Sequence, residues 1–498
     1  MNPNAYLAMG IVIVYLVAVN LFIQKRSKIE TETSFEDFAV GGRQFKWYMI
    51  MFTILATWYT GSCFTGAFGY AVSFGVFALY DTTQVIVSLV LLYVIGPKVW
   101  RWGKIHKLYN LPDFIELRYR DKKLSFVLAL YTIFIGFPWT VMGFKTFGYV
   151  IHALTYGALP FWLGIAIAAA FILTYTLRGG TKSVVTSDFI QGFIMIFGSL
   201  VIVLFMTYKN FGGFAPMFRE VATKMPELLT VQDSAGWSSV IIAGILGSFC
   251  WMEIFNRMFV ARSEEELTVS TVGAPVLGAS MYILLLLLGI GAALIPEVAA
   301  NPENGFLKLA EMSGGPVLLG VAGILIFAAE ISSTDSGIVT GGVVIANTII
   351  KRIKPSMPND KLVRTSRIAI FFEVVIAAIL ATRDLPMLME IGMFTFVHII
   401  HVFPTAILGV VWRRGNRKSA WAGIAVGMTV TVFFELFPSY AGVLKGWDPG
   451  VVGFVCNLIV YALVAFLSSP DAETDALFEE VSNHEKELYR APTVEEAN

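Results

Sequence analysis

Charged residues are scarce in this 498-residue sequence, where Asp, Glu, Lys and Arg make up 14% of the chain, against roughly 25% in soluble proteins. Basic and acidic residues number 36 each, so no excess of positive charge indicates a nucleic-acid partner. The three cysteines, Cys63, Cys250 and Cys456, all lie inside apolar blocks. They offer neither a disulfide framework nor the spacing of a metal site.

Apolar residues make up 56% of the chain, and they are gathered into long blocks separated by short polar stretches. A block of about 20 apolar residues is long enough to cross the hydrocarbon core of a bilayer. The sequence therefore predicts an all-α, polytopic membrane protein with about 13 transmembrane helices. We expect them near 4–23, 47–75, 78–97, 124–154, 160–177, 183–208, 236–256, 270–296, 316–350, 368–382, 386–412, 419–438 and 450–468.

The distribution of basic residues predicts the orientation of these helices. Loops with odd numbers, counted from the N-terminus, hold 27 Lys and Arg residues, whereas the even loops hold 6. Because cytoplasmic loops of membrane proteins carry the excess of basic residues, we predict that the odd loops are cytoplasmic. The N-terminus is then outside and the C-terminus is cytoplasmic, in a multi-pass protein of the plasma (inner) membrane. The acidic tail is predicted to be a solvated segment.

Polar side chains are densest in the predicted span at 316–350, where residues 330–336 read EISSTDS. A charge at the centre of a membrane helix costs roughly 2.5–3.5 kcal/mol on insertion scales, so such residues indicate function. Ser332, Asp335 and Ser336 share one helix face, and their oxygens are ligands that suit a hard cation such as Na⁺. The alternative is that these hydroxyls donate to carbonyls of their own helix.

Two further stretches interrupt the apolar pattern. Residues 56–66 read ATWYTGSCFTG, which predicts either an unwound segment whose carbonyls face a cavity or a packing face of small residues. Asp188 lies two turns into a predicted span, after a glycine turn at 178–182. A carboxylate at that depth is expected to have a partner.

Four segments carry recognisable motifs. They are DFAVGGR at 37–43, LPDFIELRY at 111–119, the run from YTLRGG to TSDFIQ at 175–191, and NRMFVARS at 256–263. Together, in this order and with matching spans between them, they resemble the sodium/solute symporter family, which includes bacterial proline, pantothenate and sialic-acid carriers and the sodium–glucose carriers. The resemblance extends over about residues 35 to 415.

The resemblance implies a LeuT-type core of two inverted five-helix repeats. It divides the chain into a leading helix with a cytoplasmic loop, a first repeat, an extracellular loop, a second repeat, two trailing helices and the cytoplasmic tail. The corresponding ranges are 1–46, 47–208, 209–235, 236–412, 413–468 and 469–498.

The resemblance also implies the sites. Carried over by position, the backbone carbonyls of Ala56, Tyr59 and Ala329 and the hydroxyls of Ser332 and Ser333 are expected to bind Na⁺ as the coupling ion. A second sodium is expected at Asp188, Asp335 and Ser336, together with Ser332. Asp335 departs from the serine of the family pattern, and it either strengthens the second site or lets a proton replace the ion. We favour a second cation.

Residues expected to face the central cavity and bind solute are Thr60, Cys63, Gln84, Lys145, Trp251 and Glu253. Lys145 allows two interpretations. In the first it binds a carboxylate of the solute. In the second it pairs with Glu253 or Asp188 and has a structural or coupling role.

The predicted function is sodium-coupled symport of a small organic solute, such as a carboxylate or an amino-acid-like compound, by alternating access. A proton-coupled carrier on the same scaffold is the alternative, with a channel or a membrane sensor as lesser ones. An enzyme is not indicated, because the sequence has no metal-ligand spacing, no nucleophile–base pattern and no phosphate-binding loop. The expected partners are the solute and the lipid bilayer, without nucleic acid or an obligatory protein.

Overall fold

The computed structural model describes residues 2–26, 34–469 and 471–488, and the side chains within that range apart from 23–26 and 484–488. Within these residues the chain is helical, and its only β-type pairing is a single bridge between Phe45 and Ala261. Residues 27–33 of the predicted first cytoplasmic loop, and residues 470 and 489–498 of the predicted tail, lie outside this range.

The apolar helices are numbered here in chain order, and each of two interrupted helices keeps one number for both of its halves. They are α1 (Pro3–Arg26), α2 (Trp47–Trp58 and Gly66–Phe74), α3 (Leu79–Ile105), α4 (Lys122–Leu154), α5 (161–179), α6 (181–211), α7 (Ser234–Gly247 and Met252–Phe259), α8 (Glu264–Ala292), α9 (Gly305–Val344), α10 (Asn359–Ala381), α11 (388–411), α12 (Arg417–Leu436) and α13 (Pro449–Leu467).

Among the described residues, nine helices are long and apolar enough to cross a membrane, or ten if the bent pair in α7 counts as one span. One of the nine, Phe161–Phe211, has 51 residues and would be about 77 Å long, more than twice the hydrocarbon thickness. It is broken at Gly180, whose φ of 52° lies in the left-handed region. We therefore treat it as two crossings, α5 and α6. The total of 13 crossings stays a prediction.

Two helices are interrupted near their middle. In α2 the chain leaves helical geometry at Tyr59, which has extended dihedral angles, and passes through a short turn at Gly61–Cys63 before it resumes at Gly66. In α7 the two halves meet at Trp251, also extended, with a bend of 50°. The first interruption confirms the break predicted within residues 56–66.

The predicted end of a span at residue 256 is wrong. The second half of α7 continues to Phe259, and Arg257, assigned from the sequence to a cytoplasmic loop, is buried within it. A basic residue that follows an apolar block predicts the start of a loop. In the folded chain Arg257 instead pairs with Asp188 of α6.

Helix α9 is the centre of the packing, since it contacts α1, α4, α5–α6, α10 and the turn of α2. Helix α8 covers the other side of α2 and also packs on α3, while α12 and α13 pair with each other. The two interrupted helices therefore face the middle of the protein, next to α9.

A short helix, Leu111–Tyr119, anchors the end of α11. The buried guanidinium of Arg118 donates to the carbonyls of Gly409 (2.9 Å) and Gly415 (2.8 Å). The same guanidinium lies 5.1 Å from the ring centre of Phe478 in the tail helix Ala472–Leu488. The expectation of a wholly solvated tail is therefore wrong for this part, because Phe478 packs against the protein.

The orientation can be tested with single cysteines in a variant whose three native cysteines are replaced by alanine. Asn4 and Asn483 are exposed near the two ends of the described chain. We expect a membrane-impermeant maleimide to label Asn4→Cys in intact cells, and Asn483→Cys only after permeabilisation, because the 13 predicted crossings, an odd number, separate the two. Labelling of both positions in intact cells would contradict the predicted topology.

Candidate functional site

The interruption in α2 lies directly against a hydroxyl-bearing face of α9. The Ser332 Oγ atom donates to the Ala56 carbonyl across the helix boundary at 3.3 Å and to the Ala329 carbonyl of its own helix at 2.9 Å. Ser333 also donates to the Ala329 carbonyl, at 3.1 Å. The structure therefore brings together four of the five residues predicted as the first sodium site. The hydroxyls of Ser332 and Ser333 donate to backbone carbonyls, as the alternative interpretation predicted.

Tyr59, the fifth predicted ligand, is the residue at which α2 leaves the helix, with its N–H donating to the Leu55 carbonyl. Its ring is fully buried and packs edge-on against Tyr282, with 5.1 Å between ring centres. Within the described residues it forms no hydrogen bond with Ser332 or Ser333. A role for Tyr59 therefore concerns its backbone carbonyl and stays a prediction.

A carboxylate lies beside this junction. Glu330 is 2% exposed, and its side chain accepts hydrogen bonds from Thr334 (3.0 Å) and from Ser62 (3.4 Å) in the turn of α2. It thus spans the gap between α9 and the interruption. The sequence places Glu330 in the dense polar stretch, but without a ligand role. The sequence signal for a role at the site is that Glu330 directly follows Ala329, a predicted sodium ligand.

The three residues predicted for a second sodium are also brought together, but around an arginine. Arg257 forms an ion pair with Asp188 at 3.5 Å and hydrogen-bonds Ser336. Asp335 accepts a hydrogen bond from Tyr175 at 2.8 Å. The deep Asp188 therefore has the partner that it was expected to need, and that partner is Arg257. A guanidinium contacts two of the three predicted ion ligands.

A cavity opens between the two interrupted helices, with a volume of about 1030 Å³ between atoms when its mouth is included. Five of the six residues predicted to bind solute line it. They are Thr60, Cys63, Gln84, Trp251 and Glu253. The sequence thus identified residues from α2, α3 and α7 that share this space.

Lys145 is the exception, because it is not among the residues that line the cavity. It is buried on α4 and, among the described residues, pairs with neither Glu253 nor Asp188. Its helix presents other residues to the junction, since Thr146 lies 3.4 Å from the Ser62 hydroxyl. The sequence predicted that Lys145 either binds solute in the cavity or pairs with Glu253 or Asp188. Among the described residues, the structure shows neither arrangement.

Other lining residues were missed by sequence reasoning. Asp81 on α3 accepts hydrogen bonds from Gln84, at 2.9 Å, and from Tyr282. Trp139 on α4 is held by a 2.8 Å hydrogen bond from its indole N–H to Thr395. Asp81 begins a predicted span and was detectable as an intramembrane carboxylate, whereas nothing in the sequence pattern indicates the direction of Trp139.

A helical membrane protein whose two interrupted helices face a central cavity has the architecture of a secondary transporter. The model of the Sodium:solute symporter family matches residues 38–427, and the chain belongs to that family. The resemblance drawn from the four motifs is thereby confirmed.

Relatives of similar length match nearly the whole chain. The chain is 23% identical to the uncharacterized symporter YodF of Bacillus subtilis (strain 168), with 96% of each chain covered. It is 24% identical to the osmoregulated proline transporter OpuE of the same organism, over 95% of this chain and 96% of that one. A substrate-bound, outward-open Na⁺-coupled sialic acid symporter superimposes with a TM-score of 0.77 at 18% identity, covering 93% of this chain and 98% of that chain. The predicted LeuT-type fold is confirmed.

The arginine cluster generates a stability prediction. Arg257→Ala leaves Asp188 buried without its ion-pair partner, and breaking a buried pair in this way costs about 3–5 kcal/mol. We expect a clear fall in the melting temperature of the purified protein, followed by tryptophan fluorescence.

The matched control is Arg262→Ala, because the Arg262 side chain is 56% exposed in its ion pair with Glu266. We expect that change to shift stability by no more than about 0.5 kcal/mol. Equal melting temperatures for the two variants would contradict a compensating role for Arg257.

Proposed function

We propose that the protein is a secondary active transporter that carries a small organic solute together with Na⁺ across the plasma membrane by alternating access. Membership of the sodium:solute symporter family supports sodium-coupled symport of a solute in general. The observation that carries the proposal for this chain is the contact of the Ser332 hydroxyl with the Ala56 carbonyl. It joins an interrupted helix to a face of hydroxyls at the edge of the cavity.

In this proposal Na⁺ binds among the carbonyls of Ala56, Tyr59 and Ala329 and the hydroxyls of Ser332 and Ser333. The serine hydroxyls now donate to the Ala56 and Ala329 carbonyls, so they must rotate to present lone pairs to the ion. Oxygen ligands of this kind replace the water of a hard cation. The Glu330 carboxylate next to the junction supplies negative charge nearby.

Coupling follows from the two helices that the ion bridges. An ion that binds α2 and α9 together stabilises the conformation in which the two are in contact, and it shifts the equilibrium by its difference in affinity for the two states. One charge moving down a potential of 100 mV releases about 2.3 kcal/mol. At about 1.4 kcal/mol per factor of ten, this is roughly 50-fold accumulation of solute.

We do not extend the proposal to a second Na⁺ at Asp188, Asp335 and Ser336. Arg257 already supplies positive charge to Asp188 and Ser336, so an additional cation would meet like-charge repulsion. One observation does favour proton coupling as a second candidate. Asp188 pairs with Arg257, whereas the Oδ1 atom of Asp335 is buried without a hydrogen-bond partner among the described residues, and a proton can neutralise that carboxylate.

The same proposal covers the domain organisation and the location. We propose repeats at 47–208 and 236–412, and each of them begins with an interrupted helix, α2 in the first and α7 in the second. The segment 209–235 would then be extracellular and the tail from 469 cytoplasmic.

Replacing both serines tests the sodium site without knowledge of the solute. In Ser332→Ala/Ser333→Ala the ion loses two ligands, so we expect the rise in melting temperature with Na⁺, measured against equal KCl, to disappear or to need at least roughly tenfold more Na⁺, equivalent to about 1.4 kcal/mol. The control is Ser280→Ala, an exposed serine on α8 whose hydroxyl donates to the Leu277 carbonyl.

A sodium shift that is unchanged in the double variant would reject this site. If the wild-type protein gives no sodium shift but is stabilised as the pH is lowered, the proton-coupled candidate replaces the proposal.

A further inference from the structure

The cavity is lined by acidic groups from four different helices. Its carboxylates are Asp81, Glu253, Glu330 and Glu373, from α3, α7, α9 and α10. Within the described part of the chain, no Lys, Arg or His lines it. Arg257 is close in sequence to Glu253, but its guanidinium is directed to Asp188 and Ser336. The negative charge of the cavity is therefore not balanced by basic residues on its wall.

The four carboxylates differ in how the protein satisfies them. Asp81 accepts from Tyr282 and Gln84, and Glu330 accepts from Ser62 and Thr334. Glu373 has no such donor, and its Oε2 atom is buried without a hydrogen-bond partner in the described structure.

Glu253 and Glu373 both line this cavity, one on α7 and the other on α10. The proposed Na⁺ is adjacent to Glu330, so it does not account for this second pair. Burying a carboxylate without a partner is costly, and the group needs a cation or a proton.

Aromatic rings form the wall next to these acids. Trp139 and Trp251 are 6.1 Å apart between ring centres and meet nearly at right angles, and Phe396 lies 5.6 Å from Trp139 and 6.2 Å from Trp251. All three line the cavity. Because the faces of aromatic rings attract cations, rings of this kind recognise ammonium groups.

We propose that the transported solute is an organic cation, a small amine or quaternary ammonium whose charged head binds between Glu253, Glu373 and the rings of Trp139, Trp251 and Phe396. The inference deepens the proposed function and rests on it. A carboxylate solute would meet four acidic groups and no base. The expectation of a carboxylate solute depended on Lys145 facing the cavity, and Lys145 does not line it.

The sign of the solute charge can be tested with compounds of matched shape. In saturating Na⁺, the purified protein is heated with choline, with its neutral isostere 3,3-dimethylbutan-1-ol, with the zwitterion glycine betaine, and with the anion 3,3-dimethylbutanoate. Tetramethylammonium and putrescine extend the set of cations. We expect at least one cation to raise the melting temperature, and to do so more strongly than every neutral, zwitterionic or anionic compound.

Variants then locate the binding. Glu373→Gln and Glu253→Gln should each raise the apparent Kd of that cation by roughly tenfold or more, as expected when about 1.4 kcal/mol of binding is lost. Glu435→Gln is the matched control, because Glu435 pairs with His398 at 3.2 Å outside the cavity lining. The sodium shift of each variant reports whether it is folded, and either of the two cavity variants is sufficient for the test.

The two levels of the proposal fail in different ways. If Na⁺ stabilises the wild-type protein but no cation does, or if a neutral, zwitterionic or anionic compound stabilises it more, the cationic solute is rejected and sodium coupling stands. The same holds if folded cavity variants retain the wild-type Kd. If Na⁺ itself has no effect, the proposed function fails first.

Discussion

The interruption of α2 is the feature on which the rest of the site depends. A membrane helix satisfies its own backbone, and a break in it frees carbonyls that have no water to bind in the hydrocarbon region. Here the break follows Trp58, and the Ser332 hydroxyl reaches the Ala56 carbonyl from α9. The unsatisfied end of one helix is thus supported by another. The same oxygens are suited to an ion, so the atoms that support the break in α2 are also the proposed ligands of the ion.

Charge is distributed unequally between the two polar regions of the membrane core. Around Arg257, the Asp188 carboxylate has the guanidinium and the Thr53 hydroxyl as partners, and the Asp335 carboxylate accepts from Tyr175. In the cavity, acidic residues from four helices face each other without a base among the described lining residues. In the first region Arg257 pairs with Asp188 and donates to Ser336, so it joins α6, α7 and α9. The second has no base among its described lining residues, and this is the observation from which a cationic solute is proposed.

The sequence predicted much of this fold because membrane spans and their interruptions have local causes. The apolar blocks, the weak helix formers at 56–66 and the hydroxyls at Ser332 and Ser333 can each be read from a short window. Arg257 was assigned to a loop because a base after an apolar block is typical of one, and only tertiary contacts supply its carboxylate partner, Asp188. The two residues that bind the buried guanidinium, Asp188 and Ser336, lie 69 and 79 positions away from Arg257 in the chain.

The direction in which a helix residue points was harder to predict. Lys145 lies on a helix that is apolar on most sides, so no polar face indicates which residues meet the cavity. In the structure, Thr146 faces the turn of α2, whereas Lys145 does not line the cavity. Glu373 lies within the span predicted at 368–382, but only the packing of α10 against the core brings it to the same cavity as Glu253. Such relations between helices are set by packing, which a single sequence does not display.

The most direct test of the central claim is to locate a bound cation in an experimental structure. Thallium(I) can stand in for Na⁺ at oxygen sites and is identified by its anomalous scattering. The account predicts a peak between the Ala56 carbonyl and the hydroxyls of Ser332 and Ser333, which weakens as Na⁺ is added. A peak found only beside Asp188 and Asp335, or a junction at Ala56 that remains empty at saturating ion, would contradict it.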